Sequence, residues 1–336
     1  MKRGYVWSIL VLCSLVILAI LRAQHSGYES YGKQRASRET YPRAEMNAFM
    51  RSIVNRTHTT NVFVHERTHE ESMNMRLGRL DTLNSYAILD TETNPTVTFR
   101  HTPGAYSSMI VYDQDNYVVG MVKESGTYRF TRKESPTRYL LVVCRFFVKD
   151  TDDFGRVYVY QDQCTIKPRG SSRLDIEEFD PESVQRIRLS LQPNVKILEG
   201  QTGKHGFRGS MRIDDHLLAT YTEQGGLPES EMVYRAIRVP SEYPKKLRFV
   251  PPPPTEDTGF WSVTVYDTAF KAPRRTHIYV NSYTVRYHPM GSVELTFTDD
   301  TSDTDRNTLH VDTESLIVFR IYRPSTIWEV PQWARV

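Results

Sequence analysis

Cysteine is scarce in this chain: Cys13, Cys144 and Cys164 are the only three in 336 residues. So few exclude a disulfide-dense miniprotein. Charge of one sign is lacking too. Forty-three Lys and Arg face 40 Asp and Glu, a formal +3, whereas a nucleic-acid partner calls for a concentrated basic face. No nucleic acid is therefore expected. Only one long apolar run is present, which excludes a polytopic membrane protein. No repeat of about 20–50 residues is visible, which argues against solenoids and propellers. The chain has no G-x-S-x-G elbow, no Cys-x-x-Cys and no phosphate loop. Its nearest approach to the last is Gly200-Gln201-Thr202-Gly203-Lys204-His205. There the glycines stand too close, and His205 replaces the Ser or Thr that would meet magnesium. No motif calls for a cofactor.

The one apolar run is 4–21, 18 residues without a charge, with Lys2 and Arg3 before it and Arg22 after. At ~1.5 Å per residue such a helix spans roughly 27 Å, close to a hydrocarbon core. A cleaved signal peptide has a shorter apolar region, ~7–15 residues, and a small-x-small site. Leu21-Arg22-Ala23 is a poor site, so the run is expected to remain as a single-pass anchor in the lipid bilayer. Ser8, Cys13 and Ser14 fit because small polar groups bond back to the helix backbone. Lys2 and Arg3 favour a cytoplasmic N-terminus, whereas Arg22, Lys33, Arg35 and Arg38 pull the other way, so orientation stays open. Asn55-Arg56-Thr57 offers a glycosylation acceptor, compatible with an extracytoplasmic domain. Cys144 and Cys164 are read as free thiols.

Aromatics are plentiful: 20 Tyr, 14 Phe and 4 Trp. Residues 23–59 are polar and read as a stalk. From Asn61 on, β signals dominate. Short runs rich in Val, Ile, Tyr, Phe and Thr fall at 61–64, 85–89, 96–100, 108–112, 117–122, 127–131 and 139–148, separated by turn residues. Strands at this spacing without intervening helices predict antiparallel packing. The middle differs. Asp180-Pro181 opens a helix, 211–222 gives a second ending at Gly225-Gly226, and 229–236 a short third. Pro251–Pro254 marks a connector, since four missing N–H donors cannot sit in a central strand. Strands are then expected at 260–266, 277–280, 282–287, 293–298 and 315–322. The expected organisation is an anchor (1–22), a stalk (23–59), a β domain (60–170), a helical connector (171–238) and a second β domain (239–336). The fold class is mainly β, two antiparallel sandwich- or barrel-like domains joined by a short helical segment.

Two motifs imitate metal sites. His65-Glu66-Arg67-Thr68-His69 matches H-E-x-x-H, which on a helix would place two imidazoles on one face for zinc. Here a strand-like stretch precedes it and no third ligand follows, so no zinc is expected. Asp303 to Glu314 imitates a calcium loop, but Thr308 stands where Gly should turn and strands flank it, so it reads as an acidic hairpin. Tyr112-Asp113 and Tyr266-Asp267 each end an apolar strand, one per domain. They could do acid–base work from one cleft, or simply cap turns. Arg145 interrupts an apolar strand; if buried it needs a carboxylate, with Asp81 or Asp90 as candidates.

Two stretches resemble known families. Asn61-Val62-Phe63-Val64-His65-Glu66-Arg67, Asp81-Thr82-Leu83-Asn84-Ser85 and Tyr139 to Arg145 resemble the family called domain of unknown function 1254, whose members read N-x-F-x-H-x-R, D-T-L-Y-S and R-Y-x-L-x-x-x-R. Phe260-Trp261-Ser262-Val263-Thr264-Val265-Tyr266-Asp267, Asn281-Ser282-Tyr283, Gly291-Ser292 and Arg320 to Pro324 resemble its partner, domain of unknown function 1214. The resemblance covers roughly residues 60–336 and implies two β-rich domains joined through helices, with no reaction supplied. Asn84 replaces the usual Tyr, Arg79-Leu80 a Pro-Asn pair, and Asn307 to Val311 the usual N-W-L-P-A. Candidate binding residues are Asp81, Asn84, Tyr112 and Asp113, with Arg145, Tyr266, Asp267 and Asn281. No catalytic residue stands out. The expected function is a membrane-anchored interaction or structural protein of a cell envelope or virus particle, with protein partners and a homo-oligomer left open. The alternative is a hydrolase with a carboxylate-lined cleft between its β domains, since a glycosidase needs only two carboxylates.

Overall fold

The computed structural model describes residues 33–73, 75–170, 173–194, 205–223, 225–239, 245–251 and 258–325. The apolar run 4–21 lies outside them. Among the described residues no helix is long and apolar enough to cross a membrane.

The first helix, α1 (Tyr41–Thr57), occupies the segment expected as a stalk. Met46, Met50, Ile53 and Val54 recur at helical spacing and are buried, so this is part of the fold, not a tether. A stripe led by methionine amid charged neighbours hides its period when only aliphatics are sought. Pro42 lies in the first turn, and His58 ends the helix in a left-handed conformation. Asn55 is exposed on it.

Fifteen strands follow among the described residues. The first half holds β1 (Phe63–His65), β2 (Thr82–Asp90), β3 (Thr96–Phe99), β4 (Ser107–Asp113), β5 (Val118–Val122), β6 (Gly126–Arg129), β7 (Tyr139–Phe147) and β8 (Thr165–Lys167). A short helix, α2 (His69–Met73), follows β1, and α3 (Phe154–Gln163) precedes β8. Next come α4 (Pro181–Leu191), capped by Asp180 through Ser183 N at 2.9 Å, and α5 (Ile213–Thr222). The second half holds β9 (Met232–Arg238), β10 (Lys245–Phe249), β11 (Phe260–Tyr266), β12 (Tyr279–Asn281), β13 (Val293–Thr298), β14 (Thr308–His310) and β15 (Leu316–Tyr322). Two expectations are corrected. Residues 229–236 supply a strand, not a helix, because β9 pairs with β15 along its whole length, and tertiary pairing overrides local propensity. Residues 282–287 form a turn, tied by the Asn281 side chain to Tyr283 N.

The sheets stack in four layers. The sheet β6-β3-β8 covers one face of the sheet β1-β2-β7-β4-β5, burying Leu83, Ala87, Met109, Leu140, Val142 and Phe146 against Val97, Phe99 and Ile166. The opposite face carries Tyr86, Ile88, Ile110, Tyr112, Leu141 and Val143, by the alternation of strand side chains. It meets α1 and the sheet β12-β11-β15-β9. Phe260 bridges this junction, with ring centroids 5.6 Å from Tyr106 and 4.4 Å from Phe147. On the far face of that sheet, Trp261 and Phe319 pack on Phe249 of the sheet β10-β13-β14. β11 and β15 are therefore buried on both faces. Among the described residues the named strands pair antiparallel except β13 with β14, and two isolated bridges, Gln34 with Phe179 and Val118 with Phe207, are parallel. The fold is mainly β with several sheets, none closed into a barrel among the described residues. A single apolar cluster runs from Met46 to Tyr322, so the two β halves share a core.

Candidate functional site

The junction between β2-β7-β4 and β11-β15 holds a layer of polar side chains sealed from solvent. Arg145 and Arg320 are each 1% exposed, and Asp81, Tyr112, Ser262, Tyr266 and Tyr322 are fully buried. Strand alternation puts them there. Arg145 shares the face of Leu141 and Val143, which looks toward the second half. Arg320 pairs with Ser262 and shares its face.

Asp81, just before β2, accepts hydrogen bonds from Ser262 Oγ at 2.6 Å and from Tyr322 OH at 3.0 Å. Arg320 donates to Tyr266 OH and to the Leu77 carbonyl, both at 2.8 Å, and Tyr266 donates to the Gly78 carbonyl at 2.7 Å. Arg79 and Glu223 form a buried ion pair. Burial opposes the ionisation of Glu223, but the guanidiniums of Arg79 and Arg320 outweigh it and hold the carboxyl below its usual range. Arg145 donates through Nη2 to the Gly225 carbonyl, and Tyr112 donates to the Gly226 carbonyl. Burial pushes the Tyr112 hydroxyl up to about 12, so it stays a donor at neutral pH. Burial lowers His205 to about 4, leaving the imidazole neutral.

Glycine is required at the covering turn. Gly225 has φ +69°, and a Cβ on Gly226 would collide with His205 Nε2.

The structure brings Asp81, Tyr112, Arg145 and Tyr266 into this layer. Asn84 stands opposite Arg145 on β2, on the same face, and donates to Glu66 Oε2 at 2.9 Å and to Tyr86 OH at 3.1 Å at the edge of the layer. The other candidates lie outside it. Asp113 caps the turn at Asp115 N and Tyr117 N and pairs with Arg208 at 2.5 Å. Asp267 caps an exposed turn at Ala269 N and Lys271 N. Asn281 donates to the Lys149 carbonyl at 2.8 Å, tying the halves together beside the layer. Neither Asp81 nor Asp90 is the partner of Arg145, since Asp90 pairs with Arg138. Sequence reasoning left Arg79, Glu223, Ser262, Arg320 and Tyr322 off the site. Arg320 carried a usable signal, a lone cation inside the apolar strand Leu316–Tyr322, as Arg145 does in β7.

The metal-like motif is split. His65 lies on β1 with Nδ1 2.7 Å from Ser85 Oγ, whereas His69 opens α2. Glu66 is buried beneath Tyr86 and Asn84, and burial raises its carboxyl to about 7.

An open cleft of about 650 Å³ also lies between the halves, lined by His69, Lys149, Asp150, His277, Tyr283 and Arg306 among others. Asp150 is the one carboxylate among its described lining residues. In the buried layer, Ser262 donates to Asp81, and among the described residues no imidazole is hydrogen-bonded to it.

The fold is similar to that of the VPA0106 protein from Vibrio parahaemolyticus, with a TM-score of 0.65 and 16% identity over 89% of this chain and 97% of that one. It is also similar to an uncharacterized protein from Burkholderia cenocepacia, with a TM-score of 0.50 and 13% identity over 86% and 84% of the two chains. No curated protein matches the sequence. Residues 240–326, which hold β10 to β15, match the family described as protein of unknown function, DUF1214.

Proposed function

We propose that this chain is a binding protein held at a membrane by residues 4–21, and that recognition is centred on the polar layer between its two β halves. The observation that carries this reading is the convergence of Asp81, Tyr112, Arg145 and Tyr266 on one buried layer rich in donors and without an activated nucleophile. Residues 60–170 would then be the counterpart of the 1254 family, companion to the matched 1214 region. The hydrolase alternative is less well supported. Its two strand-end carboxylates, Asp113 and Asp267, are spent on separate turns, and the open cleft offers one acid.

Capture of partners from membranes with the anchor intact, read by mass spectrometry, tests the reading. Specific recovery of one ligand or partner, lost in Arg145→Met, supports it. Turnover of an ester or glycoside that Asp81→Asn or Glu223→Gln abolishes would replace it with the hydrolase.

A further inference from the structure

Arg145 is the least satisfied charge in the layer. A guanidinium carries five N–H donors. Arg145 Nη2 meets the Gly225 carbonyl, while Nε and Nη1 have no hydrogen-bond partner among the described residues. The acids nearby are committed. Asp81 serves Ser262 and Tyr322, and Glu223 pairs with Arg79. Glu66 accepts from Tyr86 and from Asn84. Three guanidiniums, those of Arg79, Arg145 and Arg320, thus stand with Asp81, Glu223 and Glu66, and the last is raised by burial to about 7, so it is a weak counter-charge. Beyond its carbonyl partner Arg145 faces the Tyr112 hydroxyl and the charge of Glu223, which is already paired with Arg79, and a carboxylate accepting two parallel N–H bonds is the partner its fork fits best.

The covering turn points to the same chemistry. Adjacent carbonyls, those of Gly225 and Gly226, accept from Arg145 and from Tyr112 respectively. Two backbone acceptors from one turn thus serve one guanidinium and one phenol, the donor types that a carboxylate would also take. Both positions are glycine: Gly225 takes φ +69°, and Gly226 lies where a Cβ would meet the His205 ring.

We propose that Arg145 and Tyr112 form a binding site for a small carboxylate ligand, and that the carbonyls of Gly225 and Gly226 fill it until such a ligand replaces them. This rests on the reading of the chain as a binding protein. The full chain in detergent is titrated with acetate, malonate and succinate, with inorganic phosphate and chloride at matched ionic strength, by calorimetry and thermal unfolding. Saturable binding of a carboxylate is expected, weakened at least about tenfold in both Arg145→Met and Tyr112→Phe. Tyr112→Phe removes one hydroxyl and keeps the test valid should Arg145→Met fail to fold. Equal responses to chloride, or binding that neither variant weakens, overturn the proposal. Phosphate binding with silent carboxylates overturns the ligand class. Absence of carboxylate binding in a chain that still captures a partner sinks this inference and spares the broader reading.

Discussion

The carboxylate of Asp81 accepts a hydrogen bond from the hydroxyl of Tyr322, 241 positions further along the chain, at 3.0 Å. Ser262 completes the arrangement from 181 positions away. A loop ahead of the second strand is thereby fastened to the two central strands of the other half. Bonds to a buried charge contribute more than neutral ones, roughly 1.5–3 kcal/mol each. Tyr322→Phe should destabilise the chain by about that amount, with no change in the cooperativity of urea unfolding. A second unfolding transition would mean that the halves are joined chiefly through this bond.

Trp261 pairs with Ile321 and packs its ring 5.5 Å from Phe249. It is 5% exposed. Trp261→Ala should cost roughly 3–5 kcal/mol, seen as a markedly lower melting temperature. An unshifted melt would remove Trp261 from the core and place it among ligand contacts.

Glu66 predicts a pH effect of definite sign. Burial raises its carboxyl from the ordinary 4.5 to about 7. The folded chain therefore keeps a proton across this window that the unfolded chain gives up. Its stabilising contribution is complete below about pH 4.5 and is lost as pH rises toward 7, on the order of 3 kcal/mol. His65, His69 and His205, each lowered by burial to about 4, act oppositely as pH rises toward 6.5. The comparison with Glu66→Gln isolates the carboxyl. Relative to the variant, the parent should lose stability between pH 5 and 7 in denaturant titrations, and a constant difference would refute the assignment.

Much of the β framework was legible from alternation and turn residues. The strands at 260–266 and 293–298 agree with the structure end to end. What escaped were elements whose identity depends on a distant partner. β9 is a strand because β15 lies beside it. The helix Tyr41–Thr57 covers the face of Tyr86 and Ile88, and its local signal is a stripe led by Met46 and Met50 that a search for aliphatic periodicity passes over. The site was half legible. Arg145 stood out as a charge in an apolar strand, and Arg320 did so equally. The hydrogen-bond partner of Arg145 is the backbone carbonyl of Gly225, as that of Tyr112 is the carbonyl of Gly226, and a backbone partner leaves no side-chain signature.

The central claim is that Arg145 serves recognition and not the stability of the fold. Denaturant unfolding of Arg145→Met against the parent measures this directly. Met fills much of the same volume with no donors and leaves only the Gly225 carbonyl short of a partner. If the guanidinium is an under-satisfied buried charge kept for a ligand, the variant should be as stable as the parent or more so, by up to about 1–4 kcal/mol. A loss of roughly 3–5 kcal/mol would show that Arg145 is a structural member of the layer and would contradict the account.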